Sequence, residues 1–320
     1  MKVVFFGTPA FAVPSLEGLI RSPHRVVGVV TQPDRPRGRG QRMSEEAVAR
    51  AARAHGLPVL QPERLQDAAF LNALAGFGAE LGVVAAYGRI LPDAVLSTPR
   101  RGLINVHASL LPRLRGAAPI QRAIVAGETQ TGVTIMRVVR VLDAGPVFAS
   151  ETVSIGADET GEELERRLAE VGVPLLLRVV SAIERGDAVE TPQDDRLASY
   201  APRLAKDEGV IDWSQPAAAI HNKVRGLRPW PQAWTFLAGS RYIILESAVA
   251  AGGPAASRLA APDHRPGAIL EAVGPSLVVA AGSGTALRIL RVQPEGRRPM
   301  AVQEFLAGHH LAPGLVFGHG

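Results

Sequence analysis

RGLINVHASLLPRLRGAAP, residues 101–119, begins as an apolar strand and then stops behaving like one. In a strand, side chains return to the same face every second residue, so Asn105, His107 and Ser109 share one face while Ile104, Val106 and Ala108 share the other. Polar groups at alternate positions near the end of an otherwise buried strand, followed by Pro112 and two arginines, suggest a strand that delivers chemistry at its carboxyl end. Taken singly, His107 can equally be a packed or surface histidine. The stretches on either side determine which sheet this strand joins.

Upstream, apolar runs bounded by turn signals alternate with helical patterns. KVVFF (2–6) reads as a strand, and the following GTP supplies a turn with Thr8 as N-cap and Pro9 at the first helical position. RVVGVVTQ (25–32) is a second strand, EEAVARAARAHG (45–56) a helix closed by Gly56, and LPVLQ (57–61) a short strand. QDAAFLNALAGFG (66–78) is helical and AELGVVAAYG (79–88) is a buried strand leading towards residue 101. This alternation predicts an α/β fold, a Rossmann-like doubly wound, mostly parallel sheet with its site beyond the carboxyl ends of the strands. Downstream, TGEELERRLAEVGVPLLLRVVSAIERG (160–186) reads as two helices, or one interrupted near Gly172 and Pro174.

The pattern then changes. Residues 189–206 are polar and aperiodic and read as a linker between a domain over 1–188 and a second over 207–320. The second opens with a helix-like PAAAIHNKVRGL (216–227), followed by short β-like runs from AWTFLAG (233–239) to ALRILRVQP (286–294), whose spacing suggests a small OB-like β-barrel.

Composition narrows the classes. With 320 residues, 47% hydrophobic and 20% charged, the chain can fill two cores and does not resemble a disordered one. It has no cysteine, which excludes disulfide frameworks and thiolate metal sites and fits a reducing, cytoplasmic setting. Gly7, Pro9 and Pro14 break the opening apolar stretch, so neither a signal peptide nor a membrane span is expected. Net charge is only +5, but it is clustered. Residues 21–53 carry eight arginines against Asp34, Glu45 and Glu46, and residues 100–122 carry five with no acid, so both patches are candidates for phosphate contacts. No dinucleotide fingerprint or Walker loop occurs, and no metal site is expected even at the histidine-containing end, GHHLAPGLVFGHG.

A second chemical candidate is VLDAGPV (141–147), where Asp143 follows an apolar run and precedes a turn. Alone it can be a turn-capping carboxylate. With Asn105 and His107 it makes a group suited to acyl transfer: the asparagine amide can donate to an oxyanion, the histidine can assist proton transfer, and the carboxylate can orient it. No serine or cysteine nucleophile is needed if the acceptor is itself an amine.

FFGTPAFAVPSLEGL (5–19), VVTQPDRPRGRGQ (29–41), AAYGRILP (85–92), INVHASLLPRLRGAAPIQRAI (104–124), TGVTIMRV (131–138) and LDAGPV (142–147) stand in the order found in the 10-formyltetrahydrofolate-dependent formyltransferases. IDWS (211–214) and RGLRPWPQAWT (225–235) resemble the C-terminal domain of their methionyl-tRNA formyltransferase branch. The resemblance implies transfer of a formyl group from 10-formyltetrahydrofolate to the amino group of methionyl initiator tRNA, by a cytoplasmic monomer with no metal and no membrane partner. By motif it assigns catalysis to Asn105, His107 and Asp143. It assigns folate contacts to Tyr87, Gly88, Ile90 and Leu91 and to Ser109, Leu110, Leu111 and Pro112. Contacts to tRNA fall to Arg35, Arg37, Arg39 and Arg42 in the loop from Pro33 to Met43, with Arg39 matching the family's key arginine, and the C-terminal barrel is expected to bind tRNA too. The chain departs from the family pattern at Ala10, usually acidic, and at Val139, Arg140 and Val141 before Asp143. The alternatives are a formyltransferase or hydrolase of the same family acting on a small molecule, and an RNA-binding module without catalysis.

Overall fold

The computed structural model describes residues 1–37, 42–250 and 265–318, with only the backbone described at residues 36, 37, 42 and 43. The chain forms two compact units, one of residues 1–119, 130–154 and 165–202, the other of residues 120–129, 155–164 and 203–320.

In the first unit, β1 (Lys2–Gly7) leads through a short 3₁₀ turn to α1 (Val13–Arg21) and β2 (Arg25–Val30). The hairpin β3 (Arg35–Arg37) and β4 (Arg42–Ser44), α2 (Ala47–Ala54), β5 (Val59–Leu60), α3 (Ala68–Gly76), β6 (Leu81–Ala85) and α4 (Asp93–Leu96) follow. Next come β7 (Leu103–His107), β8 (Arg115–Gly116) and α5 (Pro119–Val125), where the chain leaves this unit, then β9 (Gln130–Arg137), β10 (Val147–Ser154), α6 (Gly161–Arg185) and β11 (Tyr200–Ala201).

The main sheet runs β10-β9-β7-β6-β1-β2-β5. It is parallel from β7 to β5, with β9 and β10 added antiparallel. Both faces of β1 and β6 are buried, which is why those strands read as unbroken apolar runs. Strand order reverses about β1, and β1, β6 and β7 all end at the same edge, where a doubly wound sheet opens its binding crevice.

Three local expectations change. Thr8 is not an N-cap: Pro9 takes that place, and the Thr8 hydroxyl donates to the Tyr87 carbonyl at 3.3 Å and accepts from the Gln32 amide at 3.4 Å, tying together the loops after β1, β2 and β6. Pro14, not Pro9, is the proline that opens α1. α6 is one uninterrupted helix. Pro174 is exposed, as is Glu170 one turn before it, so the carbonyl that loses its bond can be met by water, and Gly172 lets the helix lie close on Val106 and Val133. The basic loop after Asp34 forms a hairpin, with Arg35 paired to Ser44 and Arg37 to Arg42.

The second unit contains α7 (Ala217–Gly226), β12 (Ala233–Leu237), β13 (Ser240–Val249), β14 (Ile269–Val273), β15 (Ser276–Ala281), β16 (Thr285–Pro294), β17 (Met300–Ala301) and α8 (Val302–Gly308). Its antiparallel sheet runs β12-β13-β16-β15-β14. The segment after α8 joins the two ends: Phe236 of β12 exchanges both backbone hydrogen bonds with Gly318, and Ala268 and Ile269 at the start of β14 pair with Val316 and Leu315. That closure makes the sheet a barrel. Trp213, Tyr242, Phe305 and Phe317 pack in its core, with Phe317 supplied by the closing segment.

Candidate active site

β7 carries Asn105 and His107 to the open edge of the sheet. Asn105 lies across from Val84 of β6 and Met136 of β9, and His107 across from Thr134. Val106, on the opposite face, lies beneath Gly172 of α6, so the alternation that buries Val106 turns Asn105 and His107 the other way. Asn105 is half-buried, and its side-chain amide has no hydrogen-bond partner among the described residues.

The turn after β7 is fixed by hydroxyls. Thr134 donates to the Ser109 carbonyl at 2.7 Å and accepts from the Leu111 amide at 3.2 Å, while the Ser109 hydroxyl, fully buried, donates to the Arg113 carbonyl at 2.7 Å. The turn brings the Leu114 carbonyl to 3.0 Å from Nε2 of His107. A carbonyl only accepts, so Nε2 donates to it, while Nδ1 is turned towards Asp143, whose Oδ2 lies 3.6 Å away and pairs with the ring when Nδ1 is protonated as well.

Asp143 sits in the left-handed region at φ +51°, a conformation aspartate tolerates better than most residues. Its Oδ2 also accepts from the Gly116 amide at 2.8 Å, and only about a tenth of its side chain is exposed. The turn around it is held by a residue from the expected linker. Gln193 donates from Nε2 to the carbonyls of Asp143 at 2.8 Å and Gly145 at 2.7 Å, and its Oε1 accepts two bonds from Arg115. Arg115 is buried and also pairs with Asp195 at 2.7 Å. β11 adds Tyr200 and Ala201 alongside Arg115 and Gly116 of β8.

The structure therefore gathers Asn105, His107 and Asp143 at one edge and adds Thr134, Gly116, Arg115 and Gln193, none of which sequence reasoning selected. Arg115 had been grouped with a basic patch, and Gln193 lies in an aperiodic stretch that offers no signal. In the second patch Arg113 is exposed, while the other four arginines are tied to groups of the protein. Arg115 is buried, Arg100 pairs with Glu80, Arg101 donates to the Ile183 carbonyl, and Arg122 pairs with Glu208, whose carboxyl the guanidinium holds below its usual range. Of the first patch, Arg35 is exposed, Arg39 lies outside the described residues, and Arg37 and Arg42 are described as backbone only.

The segment from Tyr87 to Leu91 follows β6 at the same edge. The Tyr87 and Leu91 side chains are buried in a core cluster that Val138 joins, Gly88 is at φ +77°, and Ile90 is 78% exposed. Burial raises the Tyr87 phenol above its ordinary value. The loop from Val138 to Pro146 is fastened to this segment twice, by Val138 in that cluster and by Arg140, which grips the Asp93 carboxylate in two bonds and holds its carboxyl below the usual range. Val141 and Leu142 on that loop are exposed apolar side chains, as is Ile90 on the segment after β6. Ala10 is exposed, and nothing in the structure explains its departure from the acidic residue usual there.

No helix among the described residues is long and apolar enough to cross a membrane, and no group of three or more His, Asp or Glu among them could hold a metal ion. Comparison with known proteins matches residues 1–180 to the formyl transferase family and residues 203–310 to the formyl transferase C-terminal domain. The chain is 46% identical over 320 residues to a methionyl-tRNA formyltransferase of Solibacter usitatus, covering 100% of this chain and 99% of the relative. It is 45% identical to one of Moorella thermoacetica, with 99% of each covered. Among solved structures, an N-formyltransferase from Helicobacter canadensis, described in complex with folinic acid and an amino sugar nucleotide, aligns with a TM-score of 0.66 over 92% of this chain and 99% of its own at 17% identity. A methionyl-tRNA formyltransferase from Clostridium thermocellum aligns at 0.54 over 79% and 95% at 13% identity, and these two structural likenesses speak to the fold alone.

Proposed function

The chain belongs to the formyl transferase family in both of its matched regions, and on that premise we propose that it transfers the formyl group of 10-formyltetrahydrofolate to the α-amino group of methionyl initiator tRNA, yielding N-formylmethionyl-tRNA. The observation that carries this reading is full-length identity of 46% to a methionyl-tRNA formyltransferase, joined to an Asn105, His107 and Asp143 group assembled at the sheet edge.

The attacking amine forms a carbon–nitrogen bond to the formyl carbon, and the bond from that carbon to the folate nitrogen breaks as a proton passes from amine to leaving nitrogen. The Asn105 amide, with no partner among the described residues, donates to the oxyanion of the tetrahedral intermediate. His107, held by the Leu114 carbonyl and facing Asp143, adds to that stabilisation and assists proton transfer. The Asp143 carboxylate orients the imidazole and helps take the proton of the amine. A free α-amino group has a pKa of about 7.7–8.0, so this assistance need only be modest. The folate ring lies along Tyr87 to Leu91 and Ser109 to Pro112, with Ile90, Val141 and Leu142 offering apolar cover. Arg35, Arg37, Arg39 and Arg42 meet the tRNA acceptor end, and the barrel adds further tRNA contacts. It is only mildly cationic, with ten Lys/Arg against eight Asp/Glu from Asp207 onward, so its share of the electrostatic attraction is smaller than the hairpin's. The enzyme works as a monomer in the cytoplasm, where aminoacylated tRNA and reduced folate meet.

The test is formyl transfer with purified protein, 10-formyltetrahydrofolate and methionyl initiator tRNA. Formylated tRNA is expected, and replacing the four hairpin arginines by serine should raise KM for tRNA while leaving KM for folate in place. Absence of formylated product, or an unaltered KM for tRNA together with formylation of a free amino sugar, would refute the tRNA assignment.

A further inference from the structure

We infer that Gln193 is a positioning residue for formyl transfer, acting as a clamp that sets the Asp143 carboxylate against His107. This rests on the function proposed above and concerns a residue outside its catalytic group.

The loop before Asp143 is fastened at Val138 and Arg140, and the Ala144 amide donates to the Val141 carbonyl at 3.2 Å, but none of these contacts reaches the carboxylate itself. Asp143 adopts a left-handed conformation, and Val141 and Leu142 just before it are exposed, so local packing does not fix the carboxylate. Gln193 supplies that constraint from 50 residues away. Both hydrogens of its amide are used, one on each side of Ala144, on the carbonyls of Asp143 and Gly145. The amide is itself oriented, because Oε1 takes bonds from Nε and Nη2 of Arg115 at 3.1 and 2.8 Å. Carbonyl and amino ends cannot then be exchanged, since exchange would set an oxygen against two carbonyls and an amino group against a guanidinium. A charged donor on Oε1 also polarises the amide and strengthens its N–H donors. Arg115 adjoins Gly116, whose N–H holds Oδ2 of Asp143, so the two ends of the clamp grip both the backbone and the carboxylate of the same aspartate. The guanidinium of Arg115 thereby has a use unrelated to phosphate binding.

Gln193→Glu separates the two halves of the clamp. The glutamate keeps an acceptor for Arg115 but puts an oxygen where the Nε2 donors stood, facing two carbonyls. Gln193→Ala removes both halves. Single-turnover formylation by parent, both variants, Asp143→Ala and the Asp143→Ala/Gln193→Ala double variant gives a cycle, with thermal melting run alongside. Displacing a positioned group by about 1 Å costs on the order of 100-fold in rate. The expected result is a kcat reduced roughly 30- to 100-fold in both single variants. KM for folate and for tRNA should stay within about threefold, and Gln193→Ala should lower the rate of Asp143→Ala by less than about twofold. The Gly116 amide resonance, shifted downfield by its carboxylate acceptor, should move upfield in Gln193→Glu. If the parent forms no formylated tRNA, the function itself is wrong. If the parent is active and Gln193→Glu retains kcat within threefold, or if the Gln193→Ala loss multiplies fully with that of Asp143→Ala, the clamp is refuted and Gln193 serves stability alone. A Gly116 resonance unmoved in Gln193→Glu also overturns it, whatever the activity.

Discussion

Gly116→Ala tests the support of Asp143 from its other side. Gly116 sits at φ +120°, a conformation essentially closed to residues with a side chain, and its N–H is the donor to Oδ2 of Asp143. A residue forced into such a region costs about 1–3 kcal/mol. The added Cβ would stand 2.7 Å from the Ala201 carbonyl oxygen and 3.3 Å from its carbon, and because both are backbone atoms of β11 neither can rotate away. Relief requires β8 to separate from β11, which sacrifices part of that pairing. Strain and overlap together give about 3 kcal/mol. Gly186→Ala is the control: it follows α6 at φ +84° with no atom within 4 Å of the added Cβ, so only the strain of about 1 kcal/mol applies. At roughly 2–4 °C per kcal/mol for a domain of this size, Gly116→Ala should lower the melting temperature by about 6–12 °C and Gly186→Ala by about 2–4 °C. The kinetic consequence is separate. If β8 moves, the N–H holding the Asp143 carboxylate moves with it, and kcat should fall by roughly two orders of magnitude while Gly186→Ala keeps parental activity. Differential scanning calorimetry and the tRNA formylation assay measure the two effects. A Gly116→Ala protein that melts with the Gly186→Ala control and turns over within threefold of the parent would refute both the steric estimate and the role given to this N–H.

Asn105→Ala removes the donor assigned to the oxyanion and should lower kcat by about 10²–10³ with both KM values nearly unchanged, so parental turnover in this variant would discard the oxyanion role. Burial pushes the His24 imidazole below its ordinary 6.5, and Glu184 pulls it back only in part. The unfolded chain therefore binds the proton first as pH falls, and stability should decline from 6.5 down to the folded value and level off below it. His24→Gln, which can keep the contact with Ser181, should flatten that decline, and urea melts of the two proteins across this range decide it. Arg140→Gly leaves the exposed Asp93 without its partner and frees the loop before Asp143. Melting should barely change, because exposed pairs contribute little, whereas KM for 10-formyltetrahydrofolate should shift and KM for tRNA should not. A parental folate KM would show that the Arg140 clasp does not shape the folate surface.

The sheet was legible because its physics is local in sequence. LGVVA and KVVFFG are apolar on both faces, so their burial in a parallel sheet shows as a continuous run, and the alternation of Asn105 and His107 against Val106 set the face of β7 on which the proposed catalytic pair stands. What was hidden depends on partners far along the chain. Nothing in TPQDDRLASY repeats with a period of two or 3.6, because Gln193 contributes through hydrogen bonds to residues 48, 50 and 78 positions away. Pro174 invited a break in α6 that its exposed position makes unnecessary. Barrel closure by Leu315, Val316 and Gly318 lay in a glycine-rich end that carries no strand pattern, since its pairing is a few isolated bridges.

Counting charges along the sequence was the least reliable guide, and the reason is geometric. Arginines 100, 101, 115 and 122 look like one basic patch when read in order, yet each reaches an acceptor within its own unit: Glu80, the Ile183 carbonyl, Gln193 with Asp195, and Glu208. A guanidinium offers five donors in a rigid fork and can satisfy two or three acceptors at once, so it is as well suited to tying distant segments together as to holding a phosphate. Arg115 shows which use prevails here. Its burial would be prohibitive for an unpaired charge, and the Gln193 and Asp195 acceptors that make it tolerable also place Gln193 over the Asp143 turn. Arg115 therefore bears on the proposed chemistry through the aspartate's backbone, and in the function proposed above the attraction for tRNA phosphates is assigned to the hairpin after Asp34.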